Sequence, residues 1–410
     1  MRMKVSDYIA RKLVDEGISD VFMVTGGGAM HLDDGLGHEP GLHCTFNHHE
    51  QACAIAAECY ARIHNKIAAV CVTTGPGGTN AITGVVGGWL DSIPMLILSG
   101  QVRYDTTARS TGLGIRALGD QEFEITKAID CMTKYCEMVI DPMRIRFCLE
   151  KALYLAQTGR PGPCWLDIPL NVQGAYVETE ELLGFDKNDY EAGGTGWSVH
   201  GSGCDGCGLC AGKLIQGKPA MIPEDEAGKG EKRELLPPSV SLDLAREIVK
   251  KVREAKRPVI NAGNGIRIGK AFDVFQRVVE MLGIPVVTGW NSLDCMYDSH
   301  PLYVGRAGHM GDRPGNFAVQ NCDLLLSLGS RLSIRQVGYN YPTWAREAYV
   351  IYNDIDAEEL KKPTVHVDMP VHADVKDLLE KMEMVLEVEA VSADGGPKAK
   401  EAVDWWISRC

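Results

Sequence analysis

The stretch "IAAVCVTTGPGGTN", Ile67–Asn80, reads in three steps. Its first six residues are apolar or small without alternation, the pattern of a strand buried on both faces. Thr73 to Gly78 then carries three glycines and a proline. Glycine lets a backbone approach a ligand closely, and Pro76 stiffens the turn. A helix through Gly87 follows. Strand, glycine turn and helix together form the unit of a doubly wound parallel sheet, whose ligands sit at the strand C-termini.

Working outward, the same unit recurs. Val5–Glu16 has helical periodicity, "DVFMVTGGG" is a strand entering a second glycine turn, and Gln51–Arg62 is helical. "IPMLILSG" and "GPCWLDIP" are further buried strands. From 183 to 238 the pattern dissolves into Gly-, Pro- and charge-rich sequence, the composition of a linker or insertion. Alternation resumes at Leu242 with a helix to Ala255, the strands "RPVINAGNG", "IPVVTGW", "CDLLLSLGSR" and "AYVIYNDID", and the helix "VKDLLEKMEMVLEV". The expected fold is α/β. Two doubly wound parallel-sheet domains, 1–182 and 239–390, are joined by a Gly/Cys-rich insertion at 183–238 and followed by a C-terminal linker at 391–410.

At 410 residues the chain exceeds one ordinary core. Lys and Arg total 42 against 55 Asp and Glu, a net charge of −13. That balance argues against a broad nucleic-acid or anionic-membrane surface. "MRMKVSDYIARKLVDEG" reads as an amphipathic helix without a signal peptide's apolar centre, and no apolar run spans a bilayer. A cytoplasmic location and reduced thiols are expected for most of the 14 cysteines. The exception is "CDGCGLC". Cys204, Cys207 and Cys210 have chelating C-x₂-C-x₂-C spacing, for zinc or an iron–sulfur cluster, or stand as unliganded thiols.

Within "FNHHEQACAIAAECYAR", Glu50 follows His48 and His49 and opens a run of small residues. As a helix-start residue it would complement the helix dipole. Consecutive residues seldom converge on one metal ion, so a metal site there is disfavoured.

The order of motifs resembles thiamine diphosphate (ThDP) enzymes of the acetolactate synthase family. The matching segments are "TGGGAMHLDDGL", "NHHEQACAIAAECYAR", "TTGPGGTNAITGVVGGWLDSIPMLILSGQV", "QEFEITKAIDCMTKY" and "ALYLAQTGRPGPCWLDIP". In the second domain they are "RPVINAGNG", "LGIPVVTGW", "GNFAVQNCDLLLSLGSR" and "NDIDAEEL". The resemblance makes 1–182 the domain that binds the cofactor's pyrimidine and 239–390 the family's central domain. It implies that Glu50 shares a proton with the aminopyrimidine ring. Gly27, Gly28, Thr74, Gly75, Pro76 and Asn80 then fall on the pyrimidine loops, and Gln121 and Lys134 on the substrate side. "GDQEF" stands where many acetolactate synthases have "AFQE", which leaves the 2-oxo acid and its acceptor open.

In the central domain the family holds FAD or ADP, or nothing. Gly263, Gly265, Arg267, Gly329, Arg331, Asp354 and Asp356 match its nucleotide-lining regions. The family's G-D-G motif for Mg²⁺ and the diphosphate is not found in these residues. A split enzyme, with a separate subunit supplying that half, is expected in preference to a truncated chain; Trp405 and Trp406 would be docking anchors, and two pyrimidine domains would pair. The expected chemistry is decarboxylation of a 2-oxo acid followed by carboligation. Simple decarboxylation and 2-hydroxyacyl-CoA cleavage are alternatives, as is a non-catalytic assembly or nucleotide-sensing subunit.

Overall fold

The computed structural model describes residues 1–198 and 236–392 together with residues 406 and 408. It divides into two compact units, Met1–Arg233 and Glu234–Cys410.

The first unit is built on six parallel strands: β1 (Asp20–Met23), β2 (His43–Phe46), β3 (Ala68–Val72), β4 (Met95–Gln101), β5 (Tyr135–Met138) and β6 (Pro163–Pro169). They lie in the order β2-β1-β3-β4-β6-β5. The flanking helices include α1 (Val5–Asp15), α2 (Met30–His38), α3 (Glu50–His64) and α4 (Pro76–Asp91). Every residue of β3, β4 and β6 is buried, which explains their unbroken apolar runs. The chain leaves β1 toward one edge of the sheet and β3 toward the other. The crevice outside the ends of β1 and β3 is thus the topological switch point, where an open α/β sheet receives ligands.

Two short antiparallel pairs flank this sheet, one joining Arg2–Lys4 to Tyr176–Glu178 and the other Gly184–Phe185 to Trp197–Ser198. The second pair corrects the linker reading from 183 onward. Phe185 and Tyr190 are buried in the first core, and Trp197 stacks on Phe147 with centroids 4.0 Å apart. The small residues of α3 also have a use within the chain. A Cβ at Gly84 of α4 would lie 2.5 Å from Ala54 Cβ, so the two helices approach closely because neither carries bulk there.

The second unit holds six more parallel strands: β7 (Pro258–Ala262), β8 (Val286–Thr288), β9 (Tyr303–Arg306), β10 (Leu324–Leu328), β11 (Tyr349–Asp354) and β12 (Met369–His372). Their order is β9-β8-β7-β10-β11-β12, with the switch point between β7 and β10. Trp406 is 2% exposed and packs into this unit's core, its ring 6.2 Å from Phe317. That placement corrects its expected role as an exposed docking anchor. Trp405 lies outside the described residues.

Candidate active site

Glu50 is the first residue of α3. His49 caps that helix, its Nδ1 accepting from Gln51 N–H at 3.1 Å. The helix-start reading therefore holds, and the carboxylate gains its positive end. The same side chain also faces α4, where Asn80 Nδ2 donates to Oε2 at 3.0 Å. Oε1 has no hydrogen-bond partner among the described residues and lies over Gly77, where an added Cβ would come within 3.6 Å of it. The carboxylate is half-buried, more open than its apolar sequence surroundings suggested. His48 and His49 are exposed, and no metal-binding cluster of His, Cys, Asp or Glu occurs among the described residues.

Both glycine turns meet at the switch point beside Glu50. Gly28 N–H donates to Thr73 Oγ1 at 3.1 Å, and Thr74 Oγ1 donates to Gly100 O at 3.1 Å. A Cβ on Gly28 would strike Thr74 Oγ1 at 1.8 Å, whereas one on Gly27 would meet nothing within 4 Å. Gly28 therefore closes the two turns together, while Gly27 borders open space. Gly75 has φ +59°, a left-handed conformation that glycine tolerates, and Pro76 starts α4 behind it.

Gln121 also comes to this place. It has φ +56°, and its carbonyl oxygen would lie 2.0 Å from a Cβ on Gly75. Lys134 does not come there. It precedes β5, at the N-terminal edge of the sheet, and its Nζ donates to Thr158 O at 2.6 Å and Arg160 O at 2.7 Å. Its surroundings are those of a structural clamp on the turn before β6.

Two acids escaped the sequence reading. Asp33 of α2 accepts from Gly26 N–H at 3.1 Å, and burial raises its pKa to about 6. Asp167 is 1% exposed in β6, and burial raises its pKa to about 7 against the hydrogen bonds from Ser99 and Gln101. A lone carboxylate inside "PCWLDIP" was the available signal.

In the second unit, Gly263, Gly265 and Gly329 do meet at the switch point, but they pack on one another. Gly265 N–H donates to Gly329 O at 2.9 Å, and a Cβ on Gly263 would lie 2.2 Å from that oxygen. Arg267 pairs with Asp294. The Arg331 carbonyl accepts from Lys362 Nζ. Asp354 accepts from Tyr352 Oη at 3.1 Å and Asp356 N–H at 2.9 Å, and Asp356 from Glu358 N–H at 2.9 Å. The open space lies next door, in a cleft of about 280 Å³ lined by Trp290, Arg306, Ala307, His309, Met310 and Arg335. His309 N–H on Arg335 O, at 3.1 Å, joins its two walls. "GRAGHMGDR", glycines and bases directly after a strand, was its sequence signal. Cys204, Cys207 and Cys210 lie outside the described residues.

Residues 3–123 match the N-terminal TPP binding domain of thiamine pyrophosphate enzymes, and residues 245–382 match the central domain of the same enzymes. Over 99% of its length the chain is 31% identical to a probable acetolactate synthase large subunit of Methanococcus aeolicus, covering 59% of that protein. It is 30% identical to an acetolactate synthase large subunit of Lactococcus lactis, with 95% of this chain and 58% of the relative aligned. For the isozyme 3 large subunit of Escherichia coli the identity is 28%, over 98% of this chain and 60% of the relative. The chain thus spans less than two thirds of these relatives' length.

Proposed function

The chain belongs to the thiamine pyrophosphate enzymes, whose N-terminal and central domains it carries, and on that premise we propose that it contributes the pyrimidine half of a ThDP site to an acetolactate synthase-like enzyme acting on a 2-oxo acid. The observation that carries this reading is the free Oε1 of Glu50, aimed over Gly77 at the switch point while Asn80 occupies Oε2. The residues present fit the group. Gly27 leaves room for a ring, and any side chain at Gly28, Gly75 or Gly77 would crowd the turns that border it.

When bound, ThDP supplies the electron sink that makes decarboxylation of a 2-oxo acid feasible. This chain's part is positioning and proton handling. Glu50 Oε1 would hold the proton shared with a ring nitrogen, and Asn80 fixes the plane of the carboxylate so that the proton stays in line. Thr73 and Thr74 tie the two turns to each other and to β4, which keeps the cradle from spreading. Gln121 sits where it would face the substrate side.

The diphosphate and its Mg²⁺ would be held by polypeptide outside these 410 residues, in the proposed form a separate subunit. The half-exposure of Glu50 supports a partner that completes the pocket. Ile55 of α3 (43% exposed) and Leu90 of α4 (50%) support pairing of two pyrimidine domains through these helices. In the central unit the cleft with Arg306, His309, Arg335 and the Trp290 ring favours an anionic, planar occupant, FAD or ADP.

Reconstitution tests the assignment. The chain is mixed with a polypeptide carrying the diphosphate-binding domain, ThDP, Mg²⁺ and pyruvate. Release of CO₂ with acetolactate formation, dependent on every component, is the expected result. Release of CO₂ without a coupled product would redirect the reading to a decarboxylase. No release, with ThDP unbound, would overturn it in favour of a non-catalytic subunit.

A further inference from the structure

The end of β4 is where all three loops around Glu50 are attached. Gly100 packs against the first glycine turn so closely that a Cβ there would lie 2.1 Å from Gly28 O. The Gly100 carbonyl accepts from Thr74 Oγ1 of the second turn. The next residue, Gln101, is 1% exposed and reaches the third loop, its Nε2 donating to Phe123 O at 2.9 Å.

The Gln101 amide has a single allowed orientation. Its Oε1 accepts from Val102 N–H at 3.0 Å, and the second Nε2 hydrogen goes to Asp167 Oδ2 at 3.0 Å. Asp167 Oδ1 in turn accepts from Ser99 Oγ at 2.6 Å, and Ser99 Oγ accepts from Trp165 Nε1 at 2.8 Å. A flipped amide would set its NH₂ against a backbone donor and its oxygen against two acceptors, which a buried group does not tolerate. The third loop is also internally stiff. The Glu122 carboxylate accepts from Ala108 N–H (2.6 Å), Leu118 N–H (2.7 Å) and Gly119 N–H (3.1 Å). A loop capped on itself moves as one body, so its attachment to the sheet sets where Gln121 sits.

We propose that Gln101 and Asp167 are positioning residues: Asp167 orients the Gln101 amide, the amide pins the Phe123 carbonyl, and that pin holds Gln121 over the Gly75 turn. What the loop faces rests on the function proposed above; the pin itself does not.

Hydrogen exchange of the full chain, followed peptide by peptide, tests it. Gln101→Leu cuts the pin, Asp167→Asn disturbs it with little change of shape, and Ser99→Ala removes the other Asp167 contact as a control. Exchange of the 107–124 amides should rise about tenfold or more in Gln101→Leu and less in Asp167→Asn, with the rest of the unit unchanged. Ser99→Ala should lower global stability without a local effect on that loop. In the reconstituted enzyme, KM for the 2-oxo acid should rise about tenfold with a smaller change in kcat. Unchanged 107–124 exchange in both pin variants, or a rise spread evenly over the unit, would overturn the proposal. Failure of the wild-type chain to bind ThDP would sink the function and leave the exchange result standing. Normal ThDP binding with no local change would sink the pin alone.

Discussion

Asn80 Nδ2 donates to Glu50 Oε2 at 3.0 Å, so the two helices that follow the strands on either side of β1 share a side-chain contact at the candidate site. The contact lets Asn80 hold the acid in place. Asn80→Ala should leave the fold intact and lower turnover about tenfold, by freeing the carboxylate to rotate. Asn80→Asp sets a second carboxylate beside the first, and like charges raise carboxylate pKa values. The acid limb of its pH–rate profile should therefore move to higher pH. A profile that stays in place would show that Asn80 does not touch the working proton.

Three glycines that look alike in sequence should respond differently to alanine. Gly27→Ala meets no atom within 4 Å and should change stability by less than about 1 kcal/mol. Gly28→Ala would drive a Cβ into Thr74 Oγ1, and Gly75→Ala would combine a positive φ with a clash on Gln121 O. Each should cost about 1–3 kcal/mol in urea denaturation.

Lys134 separates a structural role from a substrate role. Its ammonium bonds two carbonyls at the edge of the sheet opposite the site. Lys134→Met should cost about 1.5–3 kcal/mol of stability, the range for hydrogen bonds to a charged group. Its kcat/KM should stay near the wild-type value. A selective loss of kcat/KM in a stable variant would return Lys134 to the substrate side.

Of the twelve strands in the two six-stranded sheets, eight were legible in the sequence, and the four that were not are the edges of those sheets, β2, β5, β9 and β12. Interior strands are covered on both faces and read as apolar runs, as "LLLSL" of β10 does with all five residues buried. Edge strands are only partly covered; His43–Phe46 has no buried residue and carries no such signal. The site divides along similar lines. Glu50 and the glycine turns are local motifs and could be found by reading. The Gln101–Asp167 bond joins side chains 66 positions apart, through the pairing of β4 with β6, and no local pattern announces it. Lys134 looked functional because its motif was matched, while its position was set by the turn before β6.

Asp167 should leave a signature in the pH dependence of stability. Its folded pKa of about 7 lies above its ordinary value of 3.8, so the folded state binds the proton more tightly than the unfolded one. Stability linked to this proton is fully present below the unfolded pKa and is lost as pH rises through about 7. The full difference corresponds to about 4 kcal/mol at most. Asp33, raised to about 6, adds to the slope at lower pH. Urea midpoints at pH 6 and pH 8 should fall more steeply for wild type than for Asp167→Asn; parallel slopes would place the proton elsewhere.

Glu50 as the proton partner of a bound aminopyrimidine would set the exchange rate of the thiazolium C2 proton, which can be measured. In the reconstituted complex, deuterium exchange at C2 of bound ThDP is quenched in acid and read by NMR for wild type and Glu50→Gln. Exchange should be slower by about 10²-fold or more in Glu50→Gln, with ThDP still bound. Equal exchange rates at equal occupancy would contradict that role for Glu50.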